Sequence, residues 1–297
     1  PQVYFGPLKS IAVLPFVLEE APAGQEFWSI GLSHELTRLL MQVPGLTVIS
    51  SNSTLFFAGR QSADRMIAER LHVNNLLRGT LRFDSGRIQL DLRLFNVRRN
   101  ADAWSRSLDL TAVQLFQSQS SLLEDVLSAV RAGGRDRSPE VEAVSTTAWI
   151  SYLQGVHHRE SRTFEGFRQA EVAFQQALEE QPDYKMAKLA LASTWLAMSG
   201  VSDLASRRLE NARAAVQQVL EWDEDQPQAL GLSSYISRNL DWGWAAAVES
   251  GEASVKLSPG NPELKGIASL ALFSAGRFKR ARALMEEAVL QDPLNLA

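Results

Sequence analysis

Apolar residues recur along this chain with two periods, and the change from one to the other divides it. Near the start, Ser10-Ile-Ala-Val-Leu-Pro-Phe16 is a continuous apolar run broken at Pro15, which predicts a buried strand. Leu32, Leu36, Leu39 and Val43 then fall on one helical stripe, predicting a helix from about residue 25 to 42 that Pro44-Gly45 ends. Leu46 to Ser50 reads as a second strand, and residues 62–71 as a short helix with Met66, Ile67 and Leu71 apolar. Strict alternation follows. Leu77, Gly79, Leu81 and Phe83 share one face, as do Ile88, Leu90, Leu92 and Leu94, with Asp84-Ser85-Gly86-Arg87 supplying hairpin-turn chemistry between them. A third strand is expected around 103–110, then a helix capped by Thr111 and running to about residue 130. Gly133-Gly134-Arg-Asp-Arg-Ser-Pro139 punctuates the chain as a linker.

Beyond the linker the period lengthens. Ala170, Phe174, Ala177 and Pro182 reappear as Ala247, Gly251, Ser254 and Pro259, and again as Ala281, Met285, Ala288 and Pro293. A repeat of about 34 residues with small side chains at fixed offsets marks stacked helix–turn–helix units of the tetratricopeptide (TPR) kind. Small residues let the two helices of a unit approach closely, and the proline ends the second helix. Four units can be laid out. Gly155 lies in the first, Leu191-Ala192-x-x-Trp195 opens the second, the third begins near Gln228, and the fourth turns at Gly276-Arg277-Phe278. The expected organisation is a mixed-sheet α/β domain over residues 1–131, a linker over 132–144 and an all-α TPR superhelix over 145–297.

Composition narrows the function classes. At 297 residues the chain accommodates two domains, and its net charge of −4 divides into about +1 before residue 133 and about −5 after it. Neither half is a strong polyanion binder. The absence of cysteine removes disulfides, thiolate metal sites and cysteine nucleophiles. No apolar run reaches the roughly 18 residues that cross a bilayer. The chain begins at Pro1 without an initiator Met or signal peptide, so a cut piece of a longer protein is expected, and more repeats after Ala297.

Candidate chemistry is sparse. His34-Glu35-x-x-Arg38 lacks the second histidine of a zinc-protease helix and reads as a solvated helix face. His157 and His158 are adjacent, about 100° apart on a helix, which suits packing better than one metal ion. No glycine-rich phosphate loop or nucleophile elbow occurs, so no catalytic residue, metal or cofactor is expected. By the alternation Arg78, Arg82, Arg93 and Arg106 lie on the non-core face of the hairpin, covered by a helix or solvent and available to pair with Asp91. A partner-binding wall is drawn from the first helices of the repeats: Met186, Leu189, Ser193 and Leu196 in the second, Leu232, Ile236 and Asn239 in the third. Trp242 and Trp244 add aromatic anchors in a turn. The wall is mostly apolar, which fits a hydrophobic or helical protein or peptide better than a charged carboxylate; the same residues also suit packing within the array.

The run of "SIAVLPF", "GLSHELTRLL", "LTVISS", "IAERLHVNNLLRGTLRFDSGRIQLDLRLFNV", "AWSRSLDL" and "LFQSQSSLLEDVL" resembles the TolB amino-terminal-type domain of bacterial signalling chains. The likeness covers residues 8–130 and departs at Asn96–Asp102, where the family carries a D-A-x-T-G turn. In similar chains this domain precedes TPR repeats and follows a winged-helix DNA-binding domain and one membrane helix, as in ToxR/CadC-type regulators. Others carry a class III adenylate cyclase or a protein kinase instead. The resemblance implies a non-catalytic sensory or interaction module, the periplasmic part of an inner-membrane transcriptional regulator, with a cytoplasmic location as the alternative. It implies a protein, peptide or small ligand as partner, no direct nucleic-acid contact by this segment, and a membrane attachment lying outside the chain. Self-association as a homodimer stays open, as do a cyclase or kinase tail and a soluble scaffold.

Overall fold

The computed structural model describes residues 9–60, 62–131, 141–198 and 205–294. They fall into two compact units: one holds the chain up to Glu142 together with the segment from Gln291 onward, the other Ala143–Leu290. The fold class is α/β with a mixed sheet, followed by an all-α array of TPR-like helix pairs.

The sheet of the first unit has the order β3-β1-β4-β5-β6, from β1 (Ser10–Val13), β3 (Thr47–Val48), β4 (Asn75–Asp84), β5 (Arg87–Asn96) and β6 (Ala101–Leu110). β1 lies parallel between β3 and β4 and is buried at every position, which explains its unbroken apolar run. Pro15 interrupts that pairing after Leu14 donates to the Leu77 carbonyl. A short strand not anticipated from the pattern, β2 (Val17–Glu19), then resumes parallel pairing farther along β4. Ser85 and Gly86, both at positive φ, close the β4–β5 hairpin as its turn chemistry requires. Gly79 is needed for space: a Cβ there would sit 2.6 Å from the Phe16 ring. The Asn96–Asp102 segment that departs from the family turn is a tight hairpin with Asn100 at φ 48°.

Helices cover both faces. α1 (Phe27–Met41) and α5 (Gln119–Arg131) pack together on one side. On the other, α3 (Asp64–Arg70) brings Ile67 and Leu71 to Ala12, Ile49, Leu76 and Phe95. The helix expected from Thr111 to about 130 is divided at Ser118, so that α4 (Ala112–Gln117), held by a Thr111–Gln114 capping box, precedes α5. A further helix absent from the sequence pattern, α2 (Ser51–Leu55), is held by the chain's last described residues. Ser53 Oγ donates to Asp292 Oδ1 at 2.6 Å and accepts from the Leu294 amide at 2.9 Å, while the Ser50 amide donates to the Gln291 carbonyl. Leu294 packs on the Ile49–Phe57–Ile67 cluster. The expected repeat domain therefore differs at its end, since the segment from Gln291 belongs with the sheet. The expected linker lies mostly outside the described residues.

Among the described residues the second unit stacks four helix pairs: α6 (Thr146–Arg159) with α7 (Phe164–Glu180), α8 (Lys185–Met198) with α9 (Ala205–Trp222), α10 (Pro227–Asn239) with α11 (Trp244–Leu257), and α12 (Pro262–Ser274) with α13 (Phe278–Gln291). The small residues act as the sequence predicts. Phe174 lies against Gly155, where a Cβ would meet its ring at 2.4 Å, and Gly251 faces Ser234 and Ala268 with a Cβ site 3.1 Å from Ala268. Ser145, Thr163 and Asn261 cap their helices through side-chain oxygens, and Pro227 and Pro262 occupy first-turn positions where no amide hydrogen is needed.

Candidate functional site

The residues selected from sequence as a partner-binding wall divide into two groups. Met186, Leu189, Leu196 and Ile236 are buried. Leu189, Leu196 and Ile236 join Ala192, Ala212, Val216, Val219 and Ala229 in one core between α8, α9 and α10, with Leu232 packed at its margin. Their spacing reports helix-on-helix packing, because α10 closes over α8 and α9 on that side. Ser193 accepts a hydrogen bond from Arg159 Nη1 at 2.9 Å, and Asn239 donates to the Tyr235 carbonyl.

The two tryptophans are placed differently. Trp242 is 76% exposed, and Trp244 beside it is also exposed. Trp242 has φ 54°, a conformation that costs a bulky residue about 1 kcal/mol or more. The turn is fixed on both sides of that strain. Asp241 receives two hydrogen bonds from Arg213 of α9, at 2.6 and 2.8 Å, and the Gly243 amide donates to the Ser237 carbonyl at 2.9 Å. The same Arg213 hydrogen bonds hold the Asp241 carboxyl below its ordinary range and raise the guanidinium. An indole held outward on an anchored turn is a rigid aromatic anchor, the feature that most often dominates protein interfaces.

A cleft of about 780 Å³ between α7, α8 and α9 was not anticipated. It is lined by apolar Leu178, Leu191, Ala214, Ala215 and Trp195 together with the amide side chains of Gln175, Asn211, Gln217 and Gln218. Lys188 reaches in, donating to Gln218 Oε1 at 2.6 Å with its ammonium 4.4 Å from the Trp222 ring centroid. Burial lowers its pKa against the opposing pull of Asp183. Such a lining offers both amide hydrogen-bonding groups and apolar side chains to a peptide-like ligand. The only sequence signal was glutamine and asparagine spaced along helices, which reads equally as ordinary surface.

Elsewhere the polar candidates are engaged structurally. Glu35 is buried and bound by Arg38 through Nε and Nη2 at 2.8 and 2.6 Å, so this stretch is a shielded ion pair rather than the solvated face expected. The rings of His157 and His158 meet edge to face at 5.4 Å. Among the described residues, no three His, Cys, Asp or Glu side chains converge as a metal site. Arg78 and Arg93 grip Asp64 of α3, and Arg82 pairs with Glu19 and Asp91. Arg106 is corrected: it lies opposite Leu92 on the core-side face and binds Asp125 of α5. Glu160, at the end of α6, has its carboxyl pushed up by burial, against Arg159 and Arg162 and with help from Glu263.

No protein-family model matches the chain. Among curated proteins, a putative adenylate cyclase 3 of Rhizobium meliloti (strain 1021) is 26% identical over 122 residues, 41% of this chain and 21% of that protein. The chain thus spans about a fifth of that relative. Among solved structures, a thermophilic TPR protein of Thermus thermophilus, TTC0263, aligns at TM-score 0.43 with 16% identity, covering 62% of this chain and 90% of the other. TolB from Acinetobacter baumannii aligns at TM-score 0.30 with 12% identity, over 41% and 28%. No helix among the described residues is long and apolar enough to cross a membrane.

Proposed function

We propose that this chain is a non-catalytic sensory and protein-interaction module of a bacterial signalling protein. In this reading a TolB-like α/β unit and a TPR array receive a protein or peptide partner and pass its presence to an output domain outside the chain. The observation that carries the reading is the anchored turn: Trp242 is exposed on a strained backbone that Arg213 and Asp241 hold in place. Strain kept at an exposed aromatic is the signature of a recognition element. Relay requires the partner to bind two arrangements of the protein with different affinity. The periplasmic side of the inner membrane, in a transcriptional regulator, is the proposed setting.

A second reading has its own support. The likeness to a putative adenylate cyclase, of which this chain matches a fifth, favours the regulatory tail of a cyclase in the cytoplasm. A topology reporter fused after Ala297 in the native protein separates the two. Activity of a periplasm-only enzyme supports the sensor, whereas fluorescence of a cytosol-only protein overturns the periplasmic setting. For the interaction itself, a photo-crosslinking residue at Trp242 should capture one discrete partner in the native host, and the same residue at exposed Arg168 should not. Equal capture at both positions would remove the turn as a recognition element.

A further inference from the structure

The cleft between α7, α8 and α9 holds a cation that has no counter-ion among the described residues. Lys188, Leu191 and Trp195 line it at positions i, i+3 and i+7 of α8, so it runs lengthwise beside that helix for about 10 Å. At the Trp195 end the three helices are tied together. The Trp195 indole donates to Glu171 of α7 at 2.6 Å, and Arg208 of α9 reaches the same carboxylate at 3.7 Å. At the other end stands the half-buried Lys188 ammonium, beside the Gln218 amide oxygen and the Trp222 ring. Among the described residues no carboxylate pairs with it. Glu221, which also lines the cleft, accepts from Gln217, and Asp183 is bound by Gln181. The other lysines of the array that are not exposed do find acids: Lys185 binds Asp223 at 2.9 Å and Lys265 binds Glu287 at 3.0 Å. Burial works against the charge on Lys188, so an anion brought to it meets a need the chain leaves unmet.

We propose that this cleft binds an extended peptide segment carrying an acidic residue and, two positions away, an aliphatic one. The carboxylate pairs with Lys188, and the aliphatic side chain lies among Leu178, Leu191, Ala215 and Trp195. In an extended chain, side chains two apart point the same way and stand about 7 Å from each other, which matches the run from Lys188 to the Leu191–Trp195 stretch. Gln175 and Asn211 also line the cleft, and their side-chain amides make no hydrogen bond among the described residues. They are available to the backbone of such a segment. An elongated cleft of about 780 Å³ with amides spaced along it suits a chain of repeating amide groups better than a compact metabolite. The site is separate from the Trp242 turn, and either can fail without the other.

The test is selection of a random short-peptide display library on the 297-residue chain. Recovered peptides should share an acidic residue two positions from leucine, isoleucine or valine. Measured singly by fluorescence anisotropy, they should bind Lys188→Glu at least about tenfold more weakly. Selection repeated on that variant should replace the acidic residue by lysine or arginine. Ala214→Trp puts a large side chain into the cleft from an exposed position and should block the same peptides. Exposed Ala283→Trp, outside the cleft, and Trp242→Ala should leave their affinity unchanged. Circular dichroism should be the same for every variant. Recovered peptides with no shared acidic–x–aliphatic pattern, or peptides whose binding survives Lys188→Glu or Ala214→Trp, would overturn the proposal. Should Lys188→Glu fail to fold, Ala214→Trp decides.

Discussion

Glu35, Glu160 and Gly155 show how single positions carry more than their residue types announce. Glu35 looked like half of a zinc motif or a surface charge, yet it is a shielded carboxylate bound twice by Arg38. Removing the guanidinium strands that charge, so Arg38→Ala should lower unfolding free energy by about 3 kcal/mol, read from urea denaturation. Glu160 has the opposite character. Its carboxyl is raised above the ordinary glutamate range chiefly by burial, so folding disfavours the ionised form. Below that range both folded and unfolded chains hold the proton and the penalty vanishes; as pH rises through the window it grows and then persists. Glu160→Gln should therefore raise the thermal midpoint near neutral pH and leave it unchanged in acid, at about pH 3, and an equal effect at both would contradict the assignment. Gly155 leaves no such latitude, since Phe174 occupies the place of its Cβ. Gly155→Ala should cost about 2 kcal/mol through displacement of that ring, checked by the same denaturation series.

At the scale of elements, legibility followed length and repetition. The β4–β5 hairpin was readable to the residue, because ten-residue strands alternate strictly and Ser85-Gly86 names the turn. The helix pairs were equally clear, their small residues recurring wherever two helices touch. β2 and α2 were invisible for the converse reason: three and five residues establish no period, and both form only because distant chain supplies partners. The proposed wall illustrates a subtler ambiguity. An apolar residue on a first helix of a repeat suits a ligand groove or the neighbouring repeat, and Leu189, Leu196 and Ile236 went to the neighbour. The anchored Trp242 was visible as a turn residue, but its support from Arg213, a helix away, was not. Pairing across repeats also leaves small regular contributions. Ser234 and Ser269 each donate to a carbonyl of their own partner helix, at 2.6 and 2.7 Å. Either serine changed to alanine should cost about 1 kcal/mol, and the two losses should add, since different helix pairs are involved.

For the molecule as a whole, sequence reading assigned each domain a continuous stretch, and the last described residues break that rule. Ser53 binds Asp292 and the Leu294 amide, and the Ser50 amide donates to Gln291, all within the α/β unit. Nothing local in Gln291-Asp-Pro-Leu294 announces this; the proline simply reads as the end of another repeat. Asp292→Ala should quicken amide hydrogen exchange across residues 50–57 while leaving the β4–β5 hairpin protected, as expected for a local opening rather than global unfolding. Uniform acceleration would show instead that the segment governs the whole unit.

That arrangement sets an order on assembly during synthesis. The ribosome emits the sheet first and its closing segment only after the helices of the array, α6 to α13, have been made. Throughout translation of the array, Ser50, Ser53 and the apolar cluster beneath them wait without the residues that finish them. A chaperone or a neighbouring nascent chain meets this unfilled seat during that interval, and the mature protein no longer offers it.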